Sequence, residues 1–510
     1  MTTPKLTVFW LIAFLLSVLL CTSSISSTWS NWRMNPVVVT YNNNPIPVGR
    51  IPFTSLTICP MTKTSAKKFN FTDMYRKMDG NRSRNLTEKE LKYMQIVGQV
   101  CDDRIMPDMF DFFSSSKSNY SDDSIMSVFN ELAPAFDETF VFCKLFHKWL
   151  KCHDIFHPII SSEEGLCYVF NGSNIKDIVT NGTIFDSLGK NQPPSDWLLE
   201  RGYKEGNLIR DPYPHRVFGT GKQASLRVLL RIFNDDIDPL CNGGIHGFKV
   251  AFHPPNEAPQ ITKKYFHVSP GKLTFFTISP RFILGLPNAR KYMPDVRQCY
   301  FANERKLRFF KEYTQHNCEL ECISNFTKRE CGCVKFSYPR SIDTKICGAA
   351  KFVCSSQADS NVYRSGAFDK CKCLPGCTSI SYDAETTQVD YDLVSFYSRS
   401  RSQPEFKLEN STFSSLVVSF KEEAFIPSKR SEYHSATEFL ASTGGLFALY
   451  CGASLLSLFK LLYYFTLRVF FTKREQRFNR TVLPTIKCQH QVMMTNQEVP
   501  NRNQIYNLLP

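Results

Sequence analysis

The sequence predicts a membrane protein in which two transmembrane helices flank a large, disulfide-rich α+β ectodomain. Three observations carry that prediction. Only two stretches of the 510 residues are apolar enough to cross a bilayer, sixteen of the nineteen cysteines lie between them, and so do eight Asn-x-Ser/Thr acceptors. Hydrophobic residues at 43% and charged residues at 21% exclude both a disordered tail and a many-helix transporter. A net charge of +14 would elsewhere point to nucleic acid. So many cysteines point instead to an oxidising compartment and away from a soluble cytosolic or nuclear protein, so no nucleic-acid partner is expected.

Taken in order, residues 1–5 are a short N-terminal segment and residues 6–28 the first helix. The apolar run Leu6–Cys21 is followed by small hydroxyl residues and then by Trp29 and Trp32. A lone Lys5, a short apolar core and Thr22-Ser23-Ser24 would also suit a cleaved signal peptide. The two tryptophans suit a retained helix, because indoles settle at the membrane interface. Composition alone leaves both readings open.

Residues 29–434 form the ectodomain. The acceptors are Asn70, Asn81, Asn85, Asn119, Asn171, Asn181, Asn325 and Asn410. One such tripeptide in a long chain is noise; eight beside clustered cysteines mark an extracellular segment. Residues 35–60 alternate Val and Ile with Pro and polar residues and read as two strands leaving the membrane. Phe71–His157 reads as helical with polar inserts, and strands return at Leu226–Phe233, Phe248–Phe252, Leu273–Ile278 and Leu416–Phe420.

The densest chemistry lies at residues 318–377, where Cys318, Cys322, Cys331, Cys333, Cys347, Cys354, Cys371, Cys373 and Cys377 crowd together. Cys318 and Cys322, at i and i+4, share one helical face and can each reach a neighbouring segment, so a ladder of disulfides along a stalk is expected. A zinc cluster is the rival; an extracellular setting with no histidine to complete a tetrahedral set favours disulfides. Sixteen cysteines suggest eight bridges, with pairing open.

Other motifs resolve blandly. His153 and His157 have i, i+4 spacing, yet histidines near extracellular cysteines more often pack than bind metal. Gly219-Thr220-Gly221-Lys222 lacks the rest of a phosphate loop. No G-x-S-x-G, H-E-x-x-H or paired-acid set supports an enzyme.

Residues 435–467 hold the second segment, with its apolar run at Phe439–Leu467 and one charge, Lys460. A continuous helix over that run would measure about 43 Å against a hydrocarbon core of about 30 Å, so it tilts or is interrupted. Gly444, Gly445 and Gly452 are costly in one helix unless close packing or irregular backbone is wanted. Small residues at Gly452-Ala453-Ser454 would let the chain go extended and turn carbonyls toward a water-filled path, the one place where irregular backbone is tolerated at that depth. Residues 468–510 form a basic tail: Arg468, Lys473, Arg474, Arg477 and Arg480 against Glu475 mark the cytosolic side.

Four motifs follow one another along the chain: Phe53-Thr54-Ser55-Leu56-Thr57-Ile58-Cys59-Pro60, the run from Gly247 through His253 to Pro259, Cys371-x-Cys373-Leu374-Pro375-x-Cys377-x4-Tyr382, and Gly444-Gly445-Leu446 followed by Gly452-x-Ser454-x-Leu456-Ser457. In that order they make the chain similar to the degenerin/epithelial sodium channel family (amiloride-sensitive sodium channels), and within it the pickpocket branch. The resemblance implies a trimeric channel subunit with both helices retained, multi-pass in the plasma membrane with both termini cytosolic, opened by ligand or mechanical force and blocked by amiloride. Its permeant ion would be Na+, with no cofactor. It also implies a selectivity filter at Gly452, Ala453 and Ser454, a gating position at Ala441 and paired outer-pore glycines at Gly444 and Gly445.

Two departures stand out. Family members carry a cytosolic segment with a His-Gly pair before the first helix, whereas five residues precede Leu6 here, so the start is either truncated or lacks that element. Members usually carry Glu where this chain has Lys460. Ser457, Lys460 and Tyr464 at i, i+3, i+7 share a helical face, and Ser457 and Lys460 would line the inner pore. Three lysines in a homotrimer would oppose sodium, which favours a hetero-trimer with related subunits in membrane lipid. The alternative is a non-conducting auxiliary or receptor-type glycoprotein of the same topology.

Overall fold

The computed structural model describes residues 4–34, 36–79, 86–116, 119–121, 124–186, 192–204, 212–259, 261–400, 406, 408, 410–433 and 435–471. They fall into two units, residues 37–432 and the flanking segments 1–36 with 433–510.

Residues 37–432 are organised by an eight-stranded sheet. Its order is Val37–Tyr41, Ser428–Glu432, Lys272–Gly285, Ser411–Phe420, Leu226–Phe233, Phe140–Leu145 and Lys148–Leu150, with Ser379–Asp390 pairing along Lys272–Gly285 off that path. Leu226–Phe233 is buried between antiparallel neighbours on both sides, which explains a run apolar on both faces. Its Arg231 is buried too, and its Nε donates to the Glu138 carbonyl at 2.7 Å, as a buried donor must. The strands at the two ends of this unit are direct partners, from Val37 opposite Glu432 to Tyr41 opposite Ser428.

A five-stranded antiparallel sheet lies beside it, ordered Phe266–Val268, Phe248–His253, Ser55–Pro60, Gly165–Phe170, Phe156–Ser161. Glu164 is buried with Lys63 at 2.7 Å and Lys249 at 2.5 Å. Burial pushes its carboxyl upward, but the two ammonium groups outweigh that and hold it below the usual range. His253 is buried as well, with Nδ1 3.0 Å from the Pro254 carbonyl and Nε2 2.9 Å from the Thr57 hydroxyl. A carbonyl only accepts, so Nδ1 carries the proton and Thr57 donates to Nε2. Burial lowers the imidazole to about 4, and the ring is neutral at physiological pH.

The helical reading of Phe71–His157 holds only to Thr139: helices occupy Phe71–Asp79, Glu88–Val97, Met106–Ser115, Ile125–Leu132 and Phe136–Thr139, then strands begin at Phe140. The histidine pair is therefore not helical. His153 lies in the single turn Cys152–Ile155 and contacts Asp154, while His157 lies on the strand Phe156–Ser161.

All sixteen ectodomain cysteines are bridged. The stalk helix Gln315–Cys331 starts at Thr314, whose side chain accepts from the Asn317 amide, and stops at Gly332 with φ 73°. Cys318 and Cys322 on it join Cys373 and Cys371, so the expected rungs run antiparallel. Cys331–Cys354 and Cys333–Cys347 extend the ladder, and Cys299–Cys377 fastens its base. Cys59–Cys167, Cys101–Cys241 and Cys143–Cys152 lie elsewhere.

Of the predicted glycan acceptors, Asn119, Asn181, Asn325 and Asn410 are exposed and Asn70 is half-buried. Asn81 and Asn85 lie outside the described residues. Asn171 corrects the expectation: it is 1% exposed, and its Nδ2, the atom a glycan would need, donates to the carbonyls of Phe53 at 2.7 Å and His215 at 3.2 Å.

In the smaller unit the first helix runs Pro4–Met34, continuing through both tryptophans, and its stretch Leu6–Met34 is apolar and long enough to cross a membrane. The second apolar segment is two helices, Ala436–Cys451 and Leu455–Phe471, bent by 79°.

Candidate functional site

The interruption of the second segment is built by its own sequence. Ser435 caps the first half: its hydroxyl accepts from the Glu438 amide at 3.2 Å, and the Glu438 carboxylate accepts from the Ser435 amide at 3.0 Å. The half-helix ends at Gly452, whose φ of 61° is left-handed. The Gly452 amide donates to the Ala448 carbonyl at 3.0 Å and the Ala453 amide to the Phe447 carbonyl at 3.3 Å, closing the terminus. Ser454 is then extended, at φ −122° and ψ 164°, and starts the second half. Its hydroxyl accepts from the Ser457 amide at 3.2 Å, and its own amide donates to the Ser457 hydroxyl at 3.4 Å.

Gly452, Ala453 and Ser454 therefore form the whole joint. The half ending at Cys451 brings the negative end of its dipole there, and carbonyls at a helix end are suitable ligands for a desolvating cation. Lys460 follows on Leu455–Leu462 and is exposed within the chain. Tyr464 falls in a π-helical turn, Tyr463–Leu467, whose larger number of residues per turn takes it out of strict 3.6-residue phase with Ser457 and Lys460.

One face of Ala436–Cys451 is occupied by the first helix. Trp32 stacks on Phe439 at 4.9 Å between ring centroids, and Trp29 meets the same ring at 5.5 Å. The Cys21 sulfur lies 4.0 Å from the Leu446 carbonyl, the Ser17 hydroxyl donates to the Tyr450 carbonyl, and the Ser24 hydroxyl donates to the Tyr450 phenol at 3.5 Å. At about 100° per residue, Phe439, Leu446 and Tyr450 share that face, whereas Ala441, Gly444, Gly445 and Ala448 fall on the opposite one. That second face is exposed, and a Cβ on Gly444 or Gly445 would meet nothing within 4 Å. Among the described residues of this chain, none requires glycine there.

Sequence reasoning located the joint but missed the first-helix contacts; the tryptophans were the available signal, without their partner. The capping box Ser435-x-x-Glu438 is a further signal present in the sequence.

Comparison with known proteins gives a consistent picture. The family described as amiloride-sensitive sodium channel matches residues 1–464. Pickpocket protein 28 of Drosophila melanogaster is 26% identical over 485 residues, covering 92% of this chain and 75% of that protein. Sodium channel protein Nach of the same fly is 22% identical over 474 residues, covering 90% and 81%. Acid-sensing ion channel 4-B of Danio rerio is 26% identical over 259 residues, covering 49% and 45%. A solved structure, of a proton-activated chloride channel, aligns over 90% of this chain and 97% of its own at 8% identity with a TM-score of 0.27, too low to bear on the fold.

Proposed function

The chain belongs to the amiloride-sensitive sodium channel family, and from that premise we propose that it is one subunit of a trimeric, amiloride-blocked sodium channel of the plasma membrane. Residues 6–28 and 435–467 cross the membrane, residues 29–434 lie outside, and residues 1–5 and 468–510 lie in the cytosol. The observation that carries this reading is the joint: an exposed apolar segment interrupted by 79° at three small residues, each half separately capped. Such a break in hydrocarbon leaves backbone polar groups that only protein or a water-filled lumen can satisfy. Three copies would bring Gly452, Ala453 and Ser454 around one axis as the filter. Ala441, Gly444 and Gly445, on the face away from the first helix, would pack against neighbouring copies and act in gating. A ligand or mechanical force on the ectodomain would reach the pore through the disulfide-laddered stalk. Glycans would sit on Asn119, Asn181, Asn325 and Asn410.

Sodium-current recording tests this reading. A bulky substitution, Ser454→Trp, is expected to abolish or reshape permeation; current that ignores residue 454 would refute it. Lys460 favours a second form of the reading, in which this subunit conducts weakly or not at all alone and works beside related subunits. A lysine at such depth costs roughly 2.5–3.5 kcal/mol unless solvated, and it lies about 12 Å from Arg468 along the helix. Co-expression with related subunits should raise the amiloride-sensitive current; a glycoprotein that only anchors or assists would leave it unchanged.

A further inference from the structure

We propose that Cys21 and Cys451 form a reversible thiol–disulfide site that fastens the first helix to the end of the half-helix preceding the joint. Among the described residues these are the two cysteines outside the eight bridges. They are 430 residues apart in sequence, yet the two side chains adjoin where Cys21 packs against the last turns of the half-helix that ends at Cys451. The contact is held from both sides: the Ser17 hydroxyl, one turn before Cys21, donates to the carbonyl of Tyr450, the residue before Cys451, and the Cys21 sulfur reaches the Leu446 carbonyl at 4.0 Å.

Their surroundings differ in a way that orders the chemistry. Cys21 is enclosed at 1% exposure, whereas Cys451 is exposed and adjoins Gly452. Hydrogen peroxide would meet Cys451 first. The Cys451 sulfur attacks one peroxide oxygen, the O–O bond breaks, and water leaves with the thiol proton, giving a sulfenic acid. The Cys21 sulfur then displaces the hydroxyl from that sulfur, the S–S bond forms, and the Cys21 proton leaves in a second water. Two thiols and one peroxide become one disulfide and two waters. A dithiol reverses the change by exchange.

The bridge would add a covalent tie between the last turn before the joint and a helix that holds it by hydrogen bonds and ring contacts. Oxidation would then restrict any movement of Ala436–Cys451 that opens the channel. That consequence, and peroxide access through water at the joint, rest on the proposed function; the contact between the thiols does not.

The test is mass spectrometry of the full-length protein in membranes, treated with hydrogen peroxide and alkylated before digestion under non-reducing conditions. A cross-linked peptide pair joining Cys21 to Cys451 is expected, both residues losing alkylation together and recovering it in dithiothreitol. Cys21→Ala and Cys451→Ser should each abolish the pair. Independent alkylation after oxidation, or separate over-oxidation of each sulfur, would overturn the proposal. In channels that conduct, peroxide should reduce the current reversibly in the parent and in neither variant; a confirmed bridge with unchanged current would overturn its control of conduction. If no subunit combination conducts, the channel reading fails while the peptide pair still decides the site.

Discussion

The left-handed conformation of Gly452 allows the joint to be tested by shape independently of size. Its φ is 61°, and a Cβ built there meets no atom within 4 Å. Adding a side chain therefore incurs a backbone cost without a packing cost, about 1–2 kcal/mol for an ordinary L-residue. In the proposed trimer three copies would raise this to about 3–6 kcal/mol, and every 1.4 kcal/mol is about tenfold in population. Even the lower figure reduces the native joint by roughly two orders of magnitude relative to competing shapes. Asparagine visits the left-handed region far more readily than alanine, and β-branched residues least of all. Surface-normalised sodium current should therefore rank parent, Gly452→Asn, Gly452→Ala, Gly452→Val. Control by side-chain volume would instead place alanine above asparagine. A series in which Ala conducts like the parent while Asn fails would refute the conformational argument.

Other consequences follow from the same structure. His253, lowered to about 4 from an ordinary 6.5, contributes stability that is fully present above pH 6.5, is lost as pH falls toward 4 and is flat below; between pH 7 and 5 the loss is about 2 kcal/mol. Thermal unfolding of the full-length protein should fall by roughly 2 °C more over that interval than in His253→Gln, and equal falls would sink the assignment. In the stalk, the Cys322–Cys371 rung spans 49 residues, but with Cys318–Cys373 closed it seals a ring of only about eight. Its removal should cost about 2.5 kcal/mol and loss of both rungs about 6 kcal/mol by chain entropy, read out as denaturant midpoints; equal costs would argue against a ladder. Lys460→Glu should raise homomeric sodium current severalfold, and an unchanged current would put residue 460 off the ion path.

Much of the fold could be read where the pattern was local. Leu226–Phe233 was bounded correctly because a short apolar run between polar residues has few alternatives. Leu273–Ile278 was too short: Pro280 and Arg281 interrupt the alternation, yet the strand continues to Gly285 because Ser379–Asp390 pairs along it to Ile283. Phe140–Leu145 and Lys148–Leu150 were hidden for a related reason. The spacing of Lys144, His147 and Lys148 resembles a helix face, and pairing of Phe140–Leu145 with Leu226–Phe233 on one side and with Lys148–Leu150 on the other decides otherwise. Asn171 marks the limit of a tripeptide motif: the letters fit, but its left-handed backbone and burial are set by the segments packed around the end of its strand. The joint was legible because a glycine and a serine so close together within so apolar a run have few other uses. The Cys21–Cys451 contact was not, since nothing local relates residues so far apart.

The two capping boxes give the second apolar segment a particular mechanics. Each half has its own start, and the first has its own stop, so the bend is a hinge between two finished rods and no single rod has yielded there. Straightening it would sacrifice the Ser454–Ser457 pair and the bond from the Ala453 amide to the Phe447 carbonyl at once, whereas swivelling one rod about the three-residue hinge keeps both. Any motion through this region should then leave amide protection high on either side of residues 452–454 and concentrate exchange at the hinge itself.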